Sequence, residues 1–547
     1  MHNRREFIGG MAAVVSGTAL RTAPRAVAQP RDRKPNLLFI LADDHAGYVL
    51  GADGNKRART PNLDRLASEG TRFARNYCNA PVCTPSRQCI LTGQLPHSAG
   101  VTVLNTPLAL DKPTLARHLD ERGYQTAVFG KMHFNRPGTP GIHGFQTAWT
   151  EDIVNRTWEE KVGPMKPPPA DIPTANPNGF AREPTWEAFA RDLWNARKLP
   201  YPQMDAQMRS TWQADQAFQW LTEHKDDQFA LWVSFQEPHC PFQFPIEDRN
   251  EFNPSDFPVP QLGPNDAAQV PICFSAYTPA EKQHIIASYY SSVSFMDRNV
   301  GRVMAKLHEL GLDENTLVVY MADHGYSLGQ HGRFEKHTCY EPALRVPLIM
   351  RWPGKIAKGV VTDFTESVDV PPTILDVLDA EPFAVQHGQS LQPYLHGERV
   401  SFPRQSIFSE YLENEEACIR TAQWKFVQCS GKRAREDGYS IAGDNTPGRY
   451  YRLFDLKTDP DEFYNIADKH PELVEQLSQE MLRVFRATHP EARLEPENLG
   501  YDDAIDWYLR PRDTRPSPSG TFIIGDPARV RRPRPRQEST KHEGPLG

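Results

Sequence analysis

The chain has 547 residues, 39% of them apolar and 24% charged, with a formal net charge of −7. A chain this long can bury a large core and is expected to divide into more than one compact unit. Its mild acidity leaves no basic face broad enough for nucleic acid, and no apolar run reaches the ~20 residues of a membrane-spanning helix, so the mature protein is not expected to span a membrane.

In chain order, residues 1–28 read as a targeting segment. Paired Arg4 and Arg5 precede the apolar stretch FIGGMAAVVSGTAL, and Ala26 and Ala28 supply the small residues of a cleavage site. That order predicts a twin-arginine signal peptide, passage of the folded chain through the twin-arginine export machinery, and a periplasmic or secreted mature protein. NLLFILADDH (36–45) is a continuous apolar run, as a strand buried on both faces should be. A helix follows over TPNLDRLASEGTRF, with Thr60 as N-cap, Pro61 in the first turn, and Leu63, Leu66 and Ala67 on one face. PTLARHLDERGY predicts a second helix, closed by Gly123, which feeds the strand QTAVFGKMH. TWQADQAFQWLTEH predicts a third helix ahead of the strand FALWVSFQEPH. A long helix over 279–310 stops at Gly311 and precedes the strand TLVVYMADHG. Strand and helix alternating in this way predict an α/β fold on a large, mostly parallel sheet.

The residues just past each apolar run carry the chemistry. The four runs end in Asp43-Asp44, in Lys131 and His133, in His239, and in Asp323-His324. Ligands of open parallel sheets bind beyond the carboxyl ends of the strands, so one edge should carry all four endings. Two carboxylates about 4 Å apart repel by about 4 kcal/mol at an effective dielectric of about 20, so Asp43, Asp44 and Asp323 together call for protonation or a cation. Carboxylate oxygens suit a hard divalent ion, Ca2+ or Mg2+, of which Ca2+ tolerates irregular geometry better. His324 is either a weak ligand or a hydrogen-bonding neighbour, because imidazole suits softer metals. Arg87, Lys131, His133, His239 and Lys336 surround these acids with cations, an arrangement for an oxyanion such as phosphate or sulfate. The candidate nucleophile is Cys83, in CTPSRQCILTG (83–93). Zinc is not expected there, because Cys78, Cys83 and Cys89 are too widely spaced for a structural site. With 8 cysteines in all, the chain is not a disulfide-scaffolded module either.

These segments resemble the type I, formylglycine-dependent sulfatases of the alkaline phosphatase-like superfamily. CTPSRQCILTG matches their Cys-x-Pro-Ser-Arg signature followed by Leu-Thr-Gly, and GYQTAVFGKMH is similar to their second signature. DDH, EPHCPF, ADHG and the lysine of RFEKH fall in the family's order along the chain. Met132 stands where an aromatic is frequent, and His324 where many members have asparagine. Members with histidine there include several that act on sulfated sugars. The resemblance implies that a formylglycine-generating maturase oxidises Cys83 to an aldehyde, whose hydrate attacks the sulfate ester through one hydroxyl and displaces the alcohol. The second hydroxyl then loses its proton and expels sulfate as the aldehyde re-forms. The resemblance further implies that Asp43, Asp44, Asp323 and His324 hold Ca2+ beside position 83, and that Arg87 orients the diol. Lys131 and Lys336 would grip sulfate oxygens, His133 would take the diol proton, and His239 would serve the leaving oxygen. Cys78 and Cys89 read as packing thiols, Cys240 has no evident role, and His331 and His337 read as ordinary polar loop residues.

The catalytic unit is expected over 34–395, sandwiched by helices as in that superfamily. A smaller α+β unit over 396–510 should carry an antiparallel sheet, from ACIRTAQWKFVQC and YYRLFDL, with the helix PELVEQLSQEMLRVFRAT packed on it. GPMKPPPADIPTANPNG reads as a loop bordering the substrate pocket, and 511–547 as a flexible Pro/Arg-rich tail. The expected activity is hydrolysis of a sulfated small molecule or glycan. Two other readings remain open: a phosphodiester or phosphonate monoester hydrolase of the same superfamily, and a sulfated-glycan-binding protein without catalysis.

Overall fold

The computed structural model describes residues 34–104, 106–162, 172–175, 186–268, 270–401, 403–431 and 449–513. The expected signal peptide, most of the proline-rich stretch and the tail beyond Asp513 lie outside the described residues. The first strands are β1 (Asn36–Asp43), β2 (Thr71–Phe73), β3 (Asn76–Tyr77), β4 (Gln125–Gly130), β5 (Thr147–Thr150), β6 (Phe229–Pro238) and β7 (Thr316–Ala322). They are followed by β8 (Arg345–Val346), β9 (Leu348–Arg351), β10 (Gly359–Val361) and β11 (Thr365–Glu366). The last four are β12 (Ser406–Tyr411), β13 (Glu416–Thr421), β14 (Trp424–Cys429) and β15 (Tyr450–Asp455).

The central sheet has eight strands in the order β10-β2-β9-β7-β1-β6-β4-β5. β7, β1, β6, β4 and β5 are mutually parallel neighbours. β9 alone is reversed against both β7 and β2, a feature the strand–helix alternation does not announce. β1 lies near the middle of the sheet, and its side chains divide by parity. Leu38, Ile40 and Ala42 enter one core, with Leu63 and Leu66, Ala214 and Ala217, and Ile285 and Ile286 of the covering helices. Leu37, Phe39 and Leu41 enter the opposite core, with Leu115, Leu119, Ile374 and Leu375. That two-sided burial is what the unbroken apolar run requires. Each leucine, isoleucine or phenylalanine among them contributes about 1.5–3 kcal/mol on leaving water.

The helices fall where the sequence places them, with two local differences. Helix Pro61–Glu69 has Thr60 at its N-cap, but the hydroxyl does not cap it. It accepts from the Gly51 N–H (2.9 Å) and donates to Asp64 Oδ1 (3.0 Å), tying the helix to the preceding turn. Helix Leu115–Asp120 is shorter than expected and has Thr114 as a working cap on the Arg117 N–H. Helix Pro279–Glu309 opens with a complete capping box between Thr278 and Glu281.

The antiparallel sheet has the order β12-β13-β14-β15. Helices Pro471–Thr488 and Tyr501–Tyr508 supply Leu477, Met481, Phe485 and Ile505 to its core. Cys89, Leu95 and Val368 from the catalytic layer enter that same core, and the described residues from Pro35 onward form one compact unit. Arg512 and Asp513, read from the sequence as tail, are anchored: Asp513 accepts from Thr102 Oγ1 (2.9 Å) and the Val103 N–H (3.2 Å). Among the described residues, no helix is long and apolar enough to cross a membrane.

Candidate active site

Four adjacent parallel strands, β7, β1, β6 and β4, end at one edge of the sheet, so Asp323-His324, Asp43-Asp44, His239 and Lys131 meet there. Cys83 arrives from outside the sheet as the first residue of helix Cys83–Thr92, all of which is buried. Ligand atoms of Asp43, Asp44, Cys83 and His239 lie within 4.8 Å of one another, as do those of Asp43, Cys83, Asp323 and His324.

The cluster is densely paired, and all of it but His133 and His239 is buried. Cys83 Sγ lies 3.5 Å from Asp43 Oδ1, 3.2 Å from His324 Nε2 and 3.9 Å from Lys131 Nζ. Arg87 is fully buried, and its Nε donates to Asp323 Oδ2 (2.8 Å) while Nη2 faces Asp43 Oδ2 (3.6 Å). It therefore bridges two of the three acids with two different nitrogens of one rigid, planar fork, a geometry a single ammonium does not reproduce. Lys131 pairs with Asp43, and Lys336 donates to both oxygens of Asp44 (2.9 and 3.2 Å). The Asp44 N–H donates to Asp323 Oδ1 (3.1 Å), which brings the third acid to the other two. His133 is half-buried at a left-handed φ of 55°, and its Nδ1 is buried without a hydrogen-bond partner. His239 Nδ1 donates to the Cys240 carbonyl (2.6 Å), so its other nitrogen is the one free for acid–base work.

The charges register this crowding. Burial and the Cys83 sulfur push Asp43 up, but Lys131, His239 and Arg87 outweigh them and hold it well below the usual carboxylate range. Asp323 goes the other way, pushed up to about 7 by burial and by Asp43. Burial works against a charge on His324, yet Asp323, the Cys83 sulfur and Asp44 push it up to about 9. Burial likewise raises the Cys83 thiol, but Lys131, Lys336 and His324 prevail and hold it well below the ordinary thiol value. The basic groups in reach are held charged and one acid is driven toward neutrality, so the cluster as a whole calls for positive charge. The donor set fits a hard divalent cation: oxygens bound about 2.4 Å from one Ca2+ lie no more than about 5 Å apart.

All ten residues expected at the site are thus brought together. The sequence gives no sign of the residues that hold them. Ser234 on β6 accepts from Arg87 Nη1 (2.9 Å) and donates to the Lys131 carbonyl oxygen. Gln213 Nε2 donates to the Phe129 (3.0 Å) and Ser234 (3.1 Å) carbonyls across the β4–β6 seam. Gly130, at φ 108°, precedes Lys131 where a Cβ would stand 2.0 Å from the Ser234 carbonyl oxygen. His331 and His337, read as ordinary polar loop residues, lie in loops but are buried there: His331 stacks on Tyr340 at 3.6 Å and pairs with Asp266 (2.9 Å), and His337 lies beside Glu335 (3.5 Å). Cys78 and Cys89 are fully buried packing thiols, as expected. Cys240 Sγ lies 3.7 Å from His239 Nδ1.

A mixed, mostly parallel sheet covered on both faces, with its site at the carboxyl edge and an antiparallel sheet alongside, defines the alkaline phosphatase-like hydrolases. Residues 35–380 match the sulfatase family, and residues 329–487 match the C-terminal region of N-sulphoglucosamine sulphohydrolase. The chain belongs to the sulfatase family and is a sulfuric ester hydrolase. It is 28% identical over 482 residues to the choline-sulfatase of Rhizobium meliloti, covering 83% of this chain and 87% of that one. It is 26% identical over 539 residues to the N-acetylglucosamine-6-O-sulfatase of Bacteroides thetaiotaomicron, covering 87% and 91%. Among solved structures, the phosphonate monoester hydrolase of Silicibacter pomeroyi superposes with a TM-score of 0.69 at 25% identity, over 84% of this chain and 96% of that one.

Proposed function

We propose that the protein hydrolyses sulfate esters of sugars through a formylglycine formed at Cys83, beside a Ca2+ (or Mg2+) held by Asp43, Asp44, Asp323 and His324. The observation that carries this reading is the position of the Cys83 sulfur, in contact with Asp43, His324 and Lys131 at the buried edge of the sheet. The sulfur stands where the oxygens of a hydrated aldehyde would stand. Such a diol supplies an oxygen nucleophile and, once its second hydroxyl is deprotonated, a way to expel sulfate. The cation, when bound, offsets negative charge on the nucleophile and the sulfate group.

The chain's own residues do the rest. With a divalent cation bound, Asp43, Asp44 and Asp323 would all be ionised and would balance Arg87, Lys131 and Lys336, so the cation's own charge would remain as a surplus complementary to a sulfate group. Lys131 and Lys336, already gathered around position 83, would hold the sulfate oxygens. His133, with its unpartnered Nδ1, would take the proton from the diol. His239, whose Nδ1 proton is committed to the Cys240 carbonyl, would give or share a proton at Nε2 with the leaving oxygen. Burial of the acids, Cys83, Arg87, Lys131 and Lys336 strengthens their interactions over their worth in water.

A sugar sulfate is supported by the matched C-terminal region of a sulphoglucosamine hydrolase and by the likeness to a glucosamine-6-O-sulfatase, and choline sulfate belongs in the same substrate test because a choline-sulfatase is at least as similar. The twin-arginine pattern of the first residues supports a periplasmic or secreted enzyme, matured before export. The likeness to phosphonate monoester hydrolases favours one second reading, in which the same cluster transfers a phosphoryl or phosphonyl group. Peptide mapping of residue 83 together with sulfate release from defined sulfated monosaccharides tests the proposal. An unmodified thiol in active protein, or faster turnover of an aryl phosphonate than of any sulfate ester, overturns it.

A further inference from the structure

We propose that Tyr289 is a positioning residue that holds the turn of Asp44 and thereby sets the cation affinity of the site. This rests on the cation reading above. Asp44 is the acid with a left-handed backbone: its φ is 68°, a region that glycine adopts readily and aspartate only in particular turns. Tyr289, fully buried on helix Pro279–Glu309, spans that turn with one hydroxyl. Its Oη donates to the Asp44 carbonyl oxygen and accepts from the Ala46 N–H (2.9 Å). On the other side the Asp44 N–H donates to Asp323 Oδ1 (3.1 Å), so both peptide groups of Asp44 are held and the direction of its carboxylate follows.

The ring cannot yield. Tyr289 stacks on Tyr326 (5.5 Å) and meets Phe242 edge-on (5.5 Å), and Phe242 meets Tyr326 at 5.7 Å. Phe242 lies three residues after His239. Tyr326 donates to the carbonyl of Phe334, two residues before Lys336. One aromatic block therefore lies under the turns that present Asp44, His239 and Lys336, and the Tyr289 hydroxyl is its polar link to the acid. Without that hydroxyl, Asp44 O and Ala46 N–H would be left unpaired in the interior, a state that favours a different turn.

The test is Tyr289→Phe, which keeps the ring, beside Tyr290→Phe, which removes the adjacent hydroxyl that accepts from Asn55 Nδ2 (2.8 Å). Ca2+ affinity is measured directly on the purified full chain by calorimetry and by Tb3+ luminescence. Tyr289→Phe should weaken Ca2+ binding about tenfold, equivalent to about 1.4 kcal/mol, with Tyr290→Phe unchanged. Excess Ca2+ should restore kcat to Tyr289→Phe, which a merely structural loss would not allow. Equal Ca2+ affinity in Tyr289→Phe and the unsubstituted protein overturns the proposal. Absence of Ca2+ binding in the unsubstituted protein instead overturns the cation reading beneath it. If Tyr289→Phe does not fold, amide exchange at Ala46 decides on the unsubstituted protein: slowing by Ca2+ supports the proposal, and indifference to Ca2+ overturns it.

Discussion

At Gly130 a single hydrogen atom in place of a side chain governs the position of Lys131. The glycine has a φ of 108°, and a Cβ would fall 2.0 Å from the Ser234 carbonyl oxygen and 2.5 Å from Gln213 Nε2. Gly130→Ala therefore has to move the chain on which Lys131 is presented, and should lower kcat for sulfate release by a factor larger than its effect on KM. At Arg87 the chemistry is in the fork. Arg87→Lys keeps the charge but cannot span Asp323 Oδ2 and Asp43 Oδ2 at once, and should reduce sulfate release about a hundredfold or more. The same variant should weaken cation binding in a direct titration. Cys83→Ala, in protein shown to fold by its melting curve, should abolish turnover altogether. The residue types at these positions are legible in CTPSRQCILTG and GYQTAVFGKMH. Their partners are not, because Ser234 and Gln213 sit in strand and helix segments that look like ordinary core sequence.

The elements carry their own testable features. Helix Pro279–Glu309 begins with a reciprocal cap, in which Thr278 Oγ1 accepts from the Glu281 N–H (3.2 Å) and Glu281 Oε2 from the Thr278 N–H (2.9 Å). Thr278→Ala should lower stability by about 1 kcal/mol, read as a shift in the denaturant midpoint. Where the antiparallel sheet meets the catalytic layer, two histidines act as acceptors. His387 Nδ1 accepts from the Leu95 N–H (3.0 Å), and His489 Nδ1 from the Glu491 N–H (3.1 Å). Both are therefore neutral in the fold. Burial, then His97 and Arg512, depress His489 to about 3, and burial and His97 depress His387 to about 4. The unfolded chain takes up these protons near about pH 6.5, so it binds more protons than the fold below that pH. Stability is thus fully present above about pH 6.5 and falls as the pH drops toward about 4, at no more than about 1.4 kcal/mol per pH unit for each ring. Melting temperatures between pH 7.5 and 4.5 should show this decline. His387→Asn with His489→Asn, which keeps an acceptor in a similar place without a titrating ring, should flatten it.

The molecule as a whole depends on bringing distant segments to one buried spot. Removing the proposed cation with a chelator should abolish sulfate release, lower the melting temperature, and be reversed by added Ca2+, because three acids from two distant segments would otherwise face one another. A melting curve indifferent to chelation would remove the cation from the account.

The strand–helix alternation, the two-sided burial of β1 and the polar endings of four strands are local properties of the sequence, visible as periodicity and as residue type at a boundary. The antiparallel companion sheet and its helix are visible for the same reason. So is most of the site's cast of residues, since each stands beside a buried strand or within one contiguous motif; Lys336, in a loop away from any strand, is legible only through the family resemblance. What only the tertiary structure decides is adjacency. That β7, β1, β6 and β4 lie side by side, from residues 316, 36, 229 and 125 onward, depends on how the crossover helices pack, not on any local pattern. The same holds for the reversal of β9, for Lys336 choosing Asp44 while Lys131 chooses Asp43, and for Tyr289 reaching across 245 positions to the Asp44 carbonyl. Periodicity is set by covalent neighbours and the pitch of a helix or pleat. Pairing between remote segments is set by the packing of the whole core, which no short stretch of sequence contains.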